Sequence, residues 1–486
     1  MPSRTTTPSS ADASALDIKL YSVLREFSVY ELNRLKKFVN SPYFNKNERL
    51  IRLLDQYEIV LRSGSGKGLT RSEAWSSATL ISDYNDQKFR KLCSDLLRLI
   101  EEFMIQEAFD KNPLHKADYL LQAIHDKRLE SLTRSSIRTA HRLSEQYYFR
   151  PASYYYYQYE FERAIYSMKD QEIDRSKVVN VEEISAHLDT FFIAEKLRYY
   201  CYALARKPIV DHHYDFLFLE EIIRQVEENQ FNEITPINFY YQIYLTQKFP
   251  AIKSHYLKLK RLIREHLDEL PSLEAKEIMD AASNFCIQKI NEGQEEYTRE
   301  YFDLYKESLR NELIFVNGVL HPWNFRNLIV SGLRLGEYVW VEDFIMQYQW
   351  RLDERYRANS VSFHLANLYF YQKKYTNVIE QLREVEYEDP SYNRNSKTIL
   401  IATYYELDEI EPLISLLSSF SIYLRRTTSL ATKRKEGYHS LIKFVRALIR
   451  IESSDKIALE KLRVKIASTD LVVNKAWLLE KIDEML

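Results

Sequence analysis

The chain has 486 residues, 45% of them hydrophobic and 28% charged, with a formal net charge of -2 at pH 7. That length exceeds what one compact core usually supports, so several domains or one elongated stack are expected. The near-neutral balance excludes whole-chain attraction to nucleic acid or to an anionic membrane. Only 8 glycines occur, with Gly64, Gly66 and Gly68 in one short loop. Strand-rich and dinucleotide-binding folds need more, so the expectation is an all-α protein. Cys93, Cys201 and Cys286 lie far apart among apolar neighbours; they read as buried reduced thiols rather than a disulfide or zinc set. No run approaches the ~20 apolar residues of a membrane helix, and the N-terminal MPSRTTTPSSADAS lacks the apolar core of a signal peptide. A cytoplasmic protein is expected.

In chain order, residues 1–14 are rich in Ser, Thr and Pro and read as a disordered tail. A helical unit is expected over 16–110. Ser28-x-x-Glu31 is a capping box opening a helix that ends at Val39, Asn45-x-x-Glu48 starts the next, and Thr70-x-x-Glu73 caps a short one. From Asp86 to Phe109 the apolar set Phe89, Leu92, Cys93, Leu96, Leu97, Ile100, Phe103 and Met104 keeps helical spacing over more than five turns. Asn112-Pro113 marks a boundary. Over 113–320 long helices are expected between turns at Pro151, Pro208, Pro236, Pro250 and Pro271, each near a helix start. No segment alternates with period two, so no sheet is expected.

From Pro322 a repeat becomes readable. In NSVSFHLANLYFYQKKYTNVIEQLREVEYEDP (359–390), Leu365, Ala366 and Tyr369 make one helical stripe. A turn follows at Lys373-Lys374, then Tyr375, Val378, Leu382 and Val385 make a second stripe, and Pro390 closes the unit. Flanking segments align on the same turn, through Phe325, Leu328, Gly336, Tyr338, Val341 and Ile345, and through Leu400, Tyr404, Leu413, Leu417 and Phe420. Such short helix pairs cannot bury their apolar faces alone and must stack on neighbours. The spacing resembles the tetratricopeptide (TPR) repeat over 322–425, with Val378 and Val385 where alanines are usual; 426–486 would cap the stack. The resemblance implies an antiparallel helix-pair, right-handed solenoid following the N-terminal unit. It also implies a concave groove, formed by the first helices, that binds a protein or peptide partner. The groove-facing positions are Trp323, Arg326, Val330, Arg334, Phe363, Asn367, Phe370, Tyr371 and Tyr405. Asn367 falls where carboxylate-clamp members of the family hold a terminal carboxylate, with Phe363 in place of the companion lysine.

Other constellations carry blander readings. SGSGKG (63–68) lacks the first glycine and the Ser/Thr of a phosphate loop and reads as a linker. Asp211-His212-His213-Tyr214-Asp215 reads as a helix-capping segment rather than a metal site, because adjacent helical side chains diverge by about 100°. The tyrosines, 37 in all, read as packing at helix interfaces. Arg425-Arg426 and Lys433-Arg434-Lys435 read as a solvated face. No metal, cofactor or catalytic set is expected. The function expected is a non-enzymatic interaction scaffold. The alternatives are an enzyme with an unrecognised inter-domain site, and a nucleic-acid-associated regulator acting through Arg34, Lys36, Lys37, Lys46 and Arg49.

Overall fold

A computed structural model of the protein describes residues 13–16, 18–63, 68–147, 150–169, 179–206, 212–383, 390–427, 430 and 432–486. Among them the architecture is all-helical, with 23 α-helices and one hairpin of two-residue strands. Most of the expected tail (1–12), four residues of the SGSGKG loop (64–67), Asp211 and Pro208 lie outside the described residues. By internal contacts the chain divides into two units, Met1–Phe192 and Ile193–Leu486. The boundaries expected near 112 and 321 both fall inside these units.

The first unit begins with α1 (Lys19–Leu24), α2 (Val29–Val39), α3 (Glu48–Ser63), α4 (Arg71–Thr79) and α5 (Asp86–Asp110). Leu24, Leu35, Leu53, Tyr57, Phe89, Leu96 and Ile100 close one core between them. Both capping boxes form: Ser28 and Thr70 accept the Glu31 and Glu73 amides, and each carboxylate returns to the cap residue's own N–H. The start of α3 differs from expectation. Asn45 is buried and donates to the Val39 carbonyl at 3.0 Å, tying down the preceding turn, while Asn47 accepts the Arg49 amide at 3.1 Å. Asn47, not Asn45, therefore serves the free amides of that helix. Ala13 and Ser14 are held in place, since Arg71 N–H donates to the Ala13 carbonyl and Ser14 bridges to Thr70. The unit continues through α6 (Pro113–Asp126), α7 (Glu130–Glu145), α8 (Ala152–Lys169) and the first half of α9 (Val181–Arg206). Asn112 caps α6 by accepting the His115 amide, with Pro113 at its first position.

The second unit comprises the rest of α9, then α10 (Leu219–Glu228), α11 (Thr235–Lys248), α12 (Lys253–His266), α13 (Ser272–Asn291) and α14 (Tyr297–Arg310). The hairpin β1 (Phe315–Val316) and β2 (Val319–Leu320) follows. It pairs Phe315 with Leu320 and Val316 with Val319 around Asn317-Gly318, both at positive φ, the mark of a type I′ turn. Strands this short carry no readable alternation, which is why the sequence does not announce them. Next come α15 (Pro322–Arg334), α16 (Tyr338–Tyr348), α17 (Glu354–Tyr371), α18 (Tyr375–Arg383), α19 (Pro390–Glu406) and α20 (Ile410–Arg426). The chain ends with α21 (Thr432–Leu448), α22 (Lys456–Ala467) and α23 (Lys475–Met485). Successive helices pack as α15 with α16, α17 with α18 and α19 with α20, while α15 also meets α17 and α17 meets α19.

The turns between these helices share one geometry. Glu337 N–H reaches the Gly332 carbonyl, Lys374 the Tyr369 carbonyl and Glu409 the Tyr404 carbonyl, and the residue before each amide bonds one step inside. The residues at the centre, Gly336, Lys373 and Asp408, have φ of 73°, 59° and 60°. This double bond across a left-handed residue caps the carbonyls of the outgoing helix. Gln294 and Gly293 repeat it after α13. Gly332 has a different reason to lack a side chain. A Cβ there would lie 2.5 Å from Val341 Cγ2 and 3.3 Å from Phe302, so only glycine allows α15 to seat against α16 and α14.

Candidate interaction cavity

A cavity of about 740 Å³ opens in the second unit. Its walls are Pro322, Trp323 and Arg326 of α15, Phe363 of α17, Arg394 and Asn395 of α19, and Lys433, Arg434, Gly437 and Tyr438 of α21. The segment Asp470–Val473 completes it, fastened to α21 by Val473 N–H donating to the Gly437 carbonyl at 3.2 Å. Apolar side chains and four cations therefore share the lining, and Asp470 is the one carboxylate among the lining residues.

Each wall residue is placed by local chemistry. His321 caps α15 through its Nδ1, which accepts the Trp323 amide at 3.2 Å, and Pro322 takes the first helical position. Trp323 is 62% exposed, with the Arg326 guanidinium 5.3 Å from its ring centroid, within cation–π range. Phe363 is 6% exposed and meets the His364 ring at 5.2 Å. His364 is itself 1% exposed, and neither ring nitrogen has a hydrogen-bond partner among the described residues. Burial, helped by the Arg326 charge, holds its pKa down to about 3, so the ring is neutral and adds no charge beneath the cavity.

The nine sequence-predicted groove residues are distributed over several surroundings. Trp323, Arg326 and Phe363 line the cavity. Val330 and Arg334 line a smaller hollow of about 240 Å³ with Ile287, Ile290 and Tyr301 of the preceding helix pair. Asn367 donates back to the Phe363 carbonyl at 2.8 Å, a bond within its own helix. Phe370 packs edge-on against Tyr375, and Tyr371 lies beside Tyr338. Tyr405 packs at 90° on Trp477 and donates to Met485 Sδ. Arg326 and Arg334, two turns apart on one helix, thus serve different hollows. Lys433 and Arg434 are exposed, as the solvated-face reading expects, and they also line the cavity.

The remaining candidates resolve as follows. The three thiols are free and buried; desolvation pushes Cys93 up to about 12 and Cys286 to about 11, and raises Cys201. His213 pairs with Asp215 at 3.1 Å on the surface. No group of metal-capable side chains occurs among the described residues. Tyr240, Tyr241 and Tyr244 are buried, whereas Tyr199 and Tyr202 are exposed. Of the five basic residues named in the first unit, Arg34 pairs with Glu107 at 2.6 Å, and Lys36 with Asp55 and Glu58 at 2.8 and 2.9 Å. Two of those five charges are therefore already matched.

One polar cluster has no readable motif in the sequence. Arg198 holds Glu277 with two bonds, 2.8 and 3.0 Å, and Glu195 at 3.2 Å. Nearby Glu274 is 7% exposed with no hydrogen-bond partner among the described residues, and burial pushes its pKa up to about 7. Searches for known relatives find no matching family model, no matching curated protein and no matching solved structure. No helix among the described residues is long and apolar enough to cross a membrane.

Proposed function

We propose that the chain is a non-enzymatic interaction scaffold, a TPR-like helical-pair solenoid that takes a segment of a partner protein on its concave face. The observation that carries this reading is the cavity, whose helical walls come from alternate helices, α15, α17, α19 and α21. The wall positions repeat in register. Pro322 and Arg394 lie fourteen residues before the left-handed turn residue of their pair, Trp323 and Asn395 thirteen, and Arg326 and Phe363 ten. Equivalent positions turned to one hollow are what a stack of like units produces. A binding surface needs only shape and anchors, whereas catalysis needs converging nucleophile, acid and base. The cavity offers Trp and Arg, the residue types that dominate binding hot spots.

Site-specific photo-crosslinking in cells tests this. A benzoylphenylalanine at Trp323 is expected to give discrete protein adducts. The same group at Val339, exposed on α16 and outside the cavity, is expected to give none. Adducts from Val339 alone would overturn the reading.

A further inference from the structure

The charge of the cavity says what kind of segment it takes. Arg326, Arg394, Lys433 and Arg434 line it, and none of the four forms an ion pair among the described residues. The chain as a whole carries a net charge of -2, so this local excess of cations is not a consequence of a basic protein. The helices beneath add to it. The first turns of α15, α19 and α21 contain no acidic residue, and α21 places Lys433 and Arg434 at its own N-terminal end. Cations there oppose the partial positive charge of the free amides, a disfavoured placement that a bound anion relieves.

Apolar walls accompany the charge. Leu471, Val472 and Val473 line the cavity beside α21, and Trp323 adds exposed aromatic surface. Nucleic acid asks for a cationic track along a backbone with stacking faces for successive bases, not a single hollow with aliphatic lining. We propose that the occupant is an acidic segment of a partner protein, in which clustered Asp or Glu side chains flank a large apolar residue. Its carboxylates would meet the four cations while its apolar side chain lies on Leu471–Val473. This rests on the reading of the cavity as a groove for a protein segment.

The test uses the full chain and a labelled peptide of alternating Glu and Phe, beside its counterpart with Gln for Glu, followed by fluorescence anisotropy. The Glu peptide is expected to bind, more weakly as salt rises, and the Gln peptide to bind at least roughly tenfold less well. Changing Arg326, Arg394, Lys433 and Arg434 together to Gln is expected to weaken the Glu peptide roughly 100-fold. Circular dichroism should show unchanged helicity, because these side chains form no ion pair among the described residues. If both peptides bind alike and Trp323→Ala weakens both, the charge proposal falls while the groove reading stands. Failure of the Glu peptide to bind, or tripolyphosphate or single-stranded DNA taking the cations in its place, overturns the proposal as well. Crosslinking from Trp323 judges the groove reading separately.

Discussion

Two surfaces of the molecule, one in each unit, treat positive charge differently. In the first unit Arg34 and Lys36 are matched to Glu107, Asp55 and Glu58, and the helices α2 and α4 open on Glu31 and Glu73 in capping boxes. Around the cavity of the second unit, Arg326, Arg394, Lys433 and Arg434 form no ion pair among the described residues, and α21 opens on cations instead of acids. What separates these surfaces is pairing. Matched charges hold a structure together, whereas unmatched ones around a hollow leave a field available to something outside the chain.

The contrast can be broken most forcefully where the second unit does pair a cation. Lys481, 5% exposed, donates to Glu406 and Glu484, and Glu406 also accepts the Trp477 indole at 2.8 Å. Glu406→Ala leaves that ammonium buried with half its partners and is expected to cost roughly 3–5 kcal/mol in urea denaturation. A loss below about 1 kcal/mol would mean that water already reaches this lysine.

Glu274 is the intermediate case, a buried carboxylate without a hydrogen-bond partner among the described residues. Its pKa is raised from 4.5 to about 7. The folded state therefore favours the protonated acid. Stability tied to this group is fully present below the unfolded value near 4.5 and is lost as pH rises through about 7. Glu274→Gln is expected to stabilise the protein at pH 8 by roughly 2–3 kcal/mol and to have little effect at pH 4.5. Thermal melts of both proteins across this range decide it, and parallel pH curves would count against it.

The smallest effect is the sharpest for the comparison. Lys433→Glu with Arg434→Glu places acids at the start of α21 and is expected to raise stability by roughly 0.3–1 kcal/mol. If the pair instead destabilises the fold, those cations have a structural partner and the cavity's charge is not free.

Legibility from sequence followed the range of the interactions. The capping boxes, the long helix α5 and the helix pairs after Pro322 depend on residues a few positions apart, and they stand in the sequence as they stand in the fold. The Asn317-Gly318 hairpin was not read, because its strands are too short to alternate. The cavity was half legible. Trp323, Arg326 and Phe363 follow from the repeat register, but Lys433 and Arg434 belong to α21, beyond the readable repeats, and meet the others only in space. Glu274 was invisible for the same reason, since the Arg198–Glu277 pair beside it joins positions 79 apart.

The shared turn of the second unit has a further consequence. It demands a left-handed residue after α13, α15, α17 and α19, and glycine meets that demand at Gly293 and Gly336 only; Lys373 and Asp408 bear the steric cost, about 1–2 kcal/mol each. Those two turns therefore keep the same backbone hydrogen bonds at a higher conformational cost than the glycine turns. Such turns are expected to open before the glycine turns, and the pairs they join, α17–α18 and α19–α20, supply part of the cavity wall.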